Sequence, residues 1–313
     1  MLNLLTLRIL SGTGKFTGAF FNAYFTRTIT QNLVDFILIL IALSALIQSI
    51  FYFFLSLISD KPFGKDKKQN KHLYIQSFLR LVEFYTQFKF GYKVSSIRNA
   101  LCVESRTLIV FLSKLIDKEK RKKISKKQYA GVFIIFLVII LSSIFKDKAK
   151  SHTVKPKDFD SFTAILGLLL CGISLGLFHV HFDETVKKSQ FGEKEYAYKC
   201  NLCLFLITLF FLVIQFIFKK EELKNFDFSS DFLKVLLLFS LNNISAVFLM
   251  FYFSNLGRMI LQQVIKLIST TSVDLLVQRG TGKIIFPFYG IVWIFLSLVG
   301  ALLYNNVRFK GFF

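Results

Sequence analysis

The residues best placed to do chemistry in this chain are cations set in apolar surroundings. Lys266 stands near the middle of the stretch MILQQVIKLISTTSVDLLVQ (Met259 to Gln278), which is long and apolar enough to cross a bilayer. A lysine at that depth costs about 2.5–3.5 kcal/mol on insertion scales, so a polar partner or a water-filled cavity is expected. Gln262 and Gln263 lie one turn before it, and Ser269 and Thr270 one turn after. Residues three and four apart share a helix face, so the spacing makes one polar stripe centred on a cation. Arg106 is a second such cation, near the middle of an apolar stretch at 95–116, with Asn99 and Ser113 seven residues to either side. Two cations facing one low-dielectric cavity repel each other until an anion arrives. A phosphate or diphosphate relieves that repulsion, and arginine grips phosphate oxygens two at a time. The competing reading is packing alone, with Arg106 paired to Glu83 and Lys266 to Asp274 or another acid.

Other chemistry is set aside on spacing. Cys200 and Cys203 form a lone CxxC with no second pair, and Cys102 and Cys171 stand apart, so the four cysteines read as structural thiols. Gly12-Thr-Gly-Lys15 and Gly280-Thr-Gly-Lys283 resemble pieces of a phosphate-binding loop, but Ile9 and Phe16 break the pattern in the first and Ile284 in the second. Asn243-Ile-Ser245 matches a glycosylation sequon inside an apolar run. His179, His181 and Asp183 alternate on what reads as a helix, which would splay them away from a common metal. No nucleophile with a base and no paired carboxylates stand together. The expectation is a protein that is not an enzyme and has no cofactor and no metal.

The elements that must position Arg106 and Lys266 are membrane spans. The chain has 313 residues, 54% of them hydrophobic, with three prolines and a net charge of +21. Repeated long apolar runs of this kind mean a polytopic membrane protein. The positive residues concentrate between the runs, as topology signals and anionic-headgroup contacts, so a nucleic-acid surface is not expected. Ten spans are expected, at 4–28, 34–58, 73–92, 95–116, 129–145, 162–182, 199–218, 231–253, 258–278 and 284–304. The third carries Arg80, Glu83 and Lys89 and must turn them to the bundle interior. The loops at 59–72 and 117–128 hold the densest lysine clusters, so they and both termini are expected in the cytosol.

An internal repeat organises the spans. Gly14 and Gly18 correspond to Gly172 and Gly176 at an offset of 158, Arg106 to Lys266 at 160, and Tyr129 to Tyr289 at 160. One five-helix unit at 1–145, a connecting loop at 146–161 and a second unit at 162–313 follow from that offset. An odd number of spans per unit inverts the second copy, which is the plan of secondary transporters with a midplane site. The fold class expected is therefore all-α and polytopic, about ten transmembrane helices as two inverted five-helix repeats.

With these landmarks the chain resembles the nucleotide-sugar transporters of the drug/metabolite transporter superfamily, nearest to the UDP-sugar/adenosine-nucleotide branch. Gly18-Ala-Phe-Phe-Asn-Ala-Tyr24 resembles the first helix of that family. Glu104-Ser-Arg106-Thr, followed by a basic run and Lys126-Lys-Gln-Tyr129, resembles its fourth. Leu241-Asn242-Asn243 is similar to its eighth, and Lys266 to the basic position of its ninth. Tyr289-Gly290 through Leu303-Tyr304-Asn305 resembles the closing helix. Ile265 stands where the family often carries an arginine. The resemblance implies an antiporter that moves a UDP-sugar, UDP-N-acetylglucosamine first among them, across the Golgi or endoplasmic reticulum membrane in exchange for UMP. It implies substrate contacts from Lys266, Arg106, Asn242, Asn243, Gln262, Ser269 and Thr270, and it is compatible with a homodimer. Two other readings stand beside it: another organic-anion exchanger of the same fold, carrying adenosine nucleotide or triose phosphate, and a membrane scaffold whose charges only hold helices together.

Overall fold

The computed structural model describes residues 12–20, 36–57, 70–91, 93–94, 96–144, 161–185, 193–219, 229–252, 261, 264–265, 268–273, 275–276 and 288–305. Every regular element among the described residues is a helix. In chain order they are α1 (12–20), α2 (Ile37–Leu57), α3 (Asn70–Gly91), α4 (Ser96–Val103), α5 (Ser105–Ile116), α6 (Lys118–Arg121), α7 (Lys126–Ile144), α8 (Ser161–Thr185), α9 (Glu193–Phe218), α10 (Ser230–Tyr252) and α11 (Phe288–Tyr304). Helical residues also occur within 261–276. Four segments are long and apolar enough to cross a membrane: Ile37–Leu57, Phe162–Phe182, Lys194–Phe218 and Ser230–Phe248. The chain is thus a multi-pass membrane protein.

The distribution of side chains explains why these helices pack as they do. On α2 the buried residues Ile37, Ile41, Ser44, Gln48 and Tyr52 recur at helical spacing, while Ile50, Phe51, Phe54 and Leu57 are exposed. The same inversion appears on α9, where Phe210, Phe216 and Phe218 are exposed and Thr208 is buried. Exposed apolar surface of this extent marks a lipid-facing wall. Lipid is as apolar as leucine, so polar and small side chains, not leucines, distinguish the inner faces. Ser44 Oγ meets Ser240 Oγ at 2.8 Å, Gln48 donates to Ser44 Oγ at 2.9 Å, and Tyr52 OH donates to the Ile244 carbonyl at 3.1 Å. These bonds tie α2 to α10. Ser77 Oγ donates to the Cys200 carbonyl at 2.8 Å, tying α3 to α9, and Ser174 Oγ to the Leu79 carbonyl at 2.6 Å, tying α8 to α3.

The main apolar cluster joins α2, α3, α9 and α10 through Ile41, Ala45, Leu81, Phe84, Phe88, Leu204, Phe232 and Phe239. The Phe84 and Phe88 rings both meet Phe239 edge-on, with centroids 4.9 and 4.8 Å away. A second layer joins α4, α7 and α11 through Leu101, Val138 and Ile294. The packed pairs are α2 with α9, α3 with α8, α7 with α11, α5 with α8, α3 with α9 and α2 with α10.

Glycine permits several close crossings of the helices. Gly131 of α7 and Gly300 of α11 face each other, and a Cβ on Gly300 would sit 2.8 Å from the Gly131 carbonyl oxygen. On α8, Gly172 lies against the turn after α4, and Gly176 against α5, where a Cβ would come within 2.7 Å of Ile109 Cβ and 2.8 Å of the Arg106 carbonyl oxygen.

The fourth expected span is not continuous. α4 ends at Val103 and α5 starts at Ser105, with Glu104 between them in a turn. This break interrupts the common face expected for Asn99, Arg106 and Ser113, and Ser113 Oγ bonds its own helix at the Val110 carbonyl, 2.8 Å away. The basic connection after α5 is well built. Asp117 accepts from the Glu119 and Lys120 amides at 3.0 and 3.2 Å, and Ser125 and Gln128 cap each other's backbone N–H at 3.0 and 3.3 Å. The reciprocal Ser–Gln pair is the signature of a helix start, here that of α7.

Candidate substrate site

Arg106 begins the first turn of α5, and its Nη2 is 3.3 Å from Glu104 Oε1. Glu104 is 3% exposed and makes no capping bond to the backbone. The expected alternative partner of Arg106, Glu83, is instead bonded to Arg80, with Nη1 to Oε2 at 3.3 Å. The Arg80 guanidinium carbon lies 4.9 Å from the ring centroids of both Phe84 and Phe178, so aromatic faces from α3 and α8 hold it in place. Lys15 and Arg106 both lie within electrostatic reach of Glu83. Lys15 itself crosses to α10, donating from Nζ to Asn242 Oδ1 at 2.8 Å, with the Asn242 carbonyl at 3.4 Å.

Among the described residues, three cations, Lys15, Arg80 and Arg106, stand about two carboxylates, Glu83 and Glu104, a formal excess of one positive charge within that set. Contributions come from α1, α3, α5 and the α4–α5 turn, and Asn242 extends the group to α10. Glycine contacts fix two of these residues at the backbone level. A Cβ on Gly18 would fall 2.7 Å from Asn242 Cα, and Gly176 packs on the Arg106 backbone as described above. Both glycine pairs singled out in the sequence thus permit close helix approach, each beside a residue expected to touch substrate.

The remaining expected site residues fall as follows. Asn243 is buried, and its Nδ2 has no hydrogen-bond partner among the described residues. Ser269 and Thr270 are buried. Lys266 and Gln262 lie outside the described residues, as does the neighbouring Gln263. Lys15, Arg80, Glu83 and Glu104 were not among the expected substrate contacts. Arg80 and Glu83 were visible as charges in an apolar span, which is the usual mark of an interior face. Lys15 stands in the sequence only as the end of the set-aside Gly12-Thr-Gly-Lys15 fragment, because its partner is 227 residues away.

Among the described residues no three histidine, cysteine or acidic side chains stand together as a metal site. His72 Nδ1 and His181 Nε2 are 3.1 Å apart, joining the start of α3 to the end of α8. The four cysteines are free thiols, three of them buried. No known protein family matches the chain, and no curated protein matches it.

Proposed function

We propose that the chain is an organic-anion exchanger of the nucleotide-sugar transporter kind, which carries a UDP-sugar one way and UMP the other. The observation that carries this reading is the group of Lys15, Arg80 and Arg106, whose positive charge exceeds, among the described residues, that of its two carboxylates. An excess charge away from water favours a mobile anion that completes the balance. Arginines and a lysine suit the oxygens of a phosphate, the group common to both exchanged ligands. Alternating access comes from rocking two halves about this group.

The helix pairing supports the expected plan of ten spans in two inverted repeats. Exchange the two halves, and α2 with α9 maps onto itself, as does α7 with α11. The pairing of α3 with α8 maps onto that of α1 with α10, seen at Gly14 and Gly18, and α3 with α9 maps onto α2 with α10. The pairing of α5 with α8 maps onto that of α1 with the helical residues near Leu261. In this plan Lys266, which lies outside the described residues, is the sequence counterpart of Arg106. Golgi or endoplasmic reticulum placement, with cytosolic termini, follows from the resemblance and from the lysine-rich loops.

A thermal-unfolding panel tests the proposal: UMP, UDP-N-acetylglucosamine, UDP-galactose, GDP-mannose, ATP and triose phosphate, each with purified protein. A ligand at 100 times its dissociation constant stabilises the native state by about 2.7 kcal/mol. Stabilisation by uridine nucleotides that is lost in Arg106→Ala supports the exchanger. Stabilisation by ATP or triose phosphate alone replaces the cargo. Cooperative unfolding with no shift from any of them supports the scaffold, for which the Arg80–Glu83 and Arg106–Glu104 pairs are the specific observation.

A further inference from the structure

On one face of α3, His72, Gln76, Arg80 and Glu83 follow each other at intervals of three and four residues, and so form a continuous polar line along the helix. Three of the four have partners: His72 has His181, and Arg80 and Glu83 have each other. Gln76 has none. It is fully buried, at 0% exposure, and neither its Nε2 nor its Oε1 makes a hydrogen bond. A buried primary amide with both ends unsatisfied is among the least tolerable polar groups in a protein interior. Its neighbours do not relieve it. Leu73 packs with Phe182, Tyr196 and Cys200, and Ser77 is occupied by the Cys200 carbonyl.

We infer that Gln76 reads the base edge of a nucleotide whose phosphate lies at the Lys15, Arg80 and Arg106 group. The inference rests on the exchanger reading above and names the residue that recognises the nucleobase of its cargo. A glutamine amide offers a donor and an acceptor side by side, and nucleobases present the complementary adjacent pair. A sugar phosphate or inorganic phosphate has no such flat edge.

The test compares UMP with ribose 5-phosphate on wild-type protein and on Gln76→Met, which keeps the length of the side chain and removes the amide. Wild-type protein is expected to bind UMP at least tenfold more tightly than ribose 5-phosphate. Gln76→Met is expected to lose that preference while its affinity for ribose 5-phosphate stays within about twofold. Its melting temperature without ligand should equal or exceed that of the wild type, because an unsatisfied amide has been removed. A variant that keeps the preference overturns the assignment. So does a variant that melts lower without ligand, since the amide is then satisfied in the empty protein by buried water. Wild-type protein that binds both ligands equally also overturns it and leaves the anion exchanger standing. Wild-type protein that binds neither overturns the exchanger itself.

Discussion

At the scale of single residues, the interior charge pattern makes two predictions. Lys15 holds Asn242 with a charge-assisted bond of 2.8 Å and adds one of three cations to the group. Lys15→Met should weaken UMP binding about tenfold, roughly 1.4 kcal/mol, as read by ligand-dependent melting. Glu83 is the buried partner of Arg80. Glu83→Ala removes one side of that pair and should lower stability by about 3–5 kcal/mol, measured by chemical unfolding in detergent. It also raises the formal excess of the group from one positive charge to two, so the surviving folded fraction should bind UMP more tightly than the wild type. Weaker binding in that variant would mean that Glu83 positions the arginine for the ligand and does not merely balance it.

At the scale of elements, the sequence revealed helices better than it revealed what they hold. The runs at 34–58 and 199–218 were legible because lipid-facing walls demand uninterrupted apolar residues, and α2 and α9 appear there with shifted ends. α9 starts at Glu193, before the apolar run, because Lys199 reaches back to Glu195 at 2.7 Å and carries the helix into the polar loop. α3 was harder to see as a span, since Gln76, Ser77, Arg80 and Glu83 lower its hydropathy, yet it touches α2, α8 and α9. The break at Glu104 had no signal at all. Neither proline nor glycine marks it, and its cause is tertiary: Gly172 brings α8 against the turn, and Ser105 Oγ donates to the Leu169 carbonyl at 3.3 Å. The short basic connection is an element with its own test. The amide and ammonium of Lys120 hold the Asp117 carboxyl below the usual carboxylate range. A group with a lowered folded pKa stabilises above its unfolded value and loses that effect as pH falls through the folded one. Amide exchange at Glu119 and Lys120 should therefore accelerate, relative to neighbouring amides, only below the ordinary carboxylate range. In Asp117→Asn the acid-dependent acceleration should vanish.

At the scale of the whole molecule, the inverted plan predicts sidedness. The start of α3 and the end of α8 meet on one side through the contact of His72 with His181. The connection at 117–128 belongs on that side too, as the exposed cations of Lys118, Lys120, Arg121, Lys122 and Lys123 favour an anionic leaflet. In sealed microsomes, protease added outside should cut at 117–128 and at tags on either terminus, and should spare a site placed in 146–160. Cleavage at 146–160 with protection of 117–128 would reverse the orientation.

The crossing of α7 and α11 has a genetic consequence. Gly131 and Gly300 already present the smallest residue to each other. A side chain gained at one cannot be offset by shrinking the other, because there is nothing left to remove. Revertants of Gly131→Val should therefore restore glycine at the same position, since even an alanine Cβ would meet the α11 backbone, or displace α11 through substitutions at other residues. No suppressor should arise at residue 300, and a selection for restored folding would show this directly.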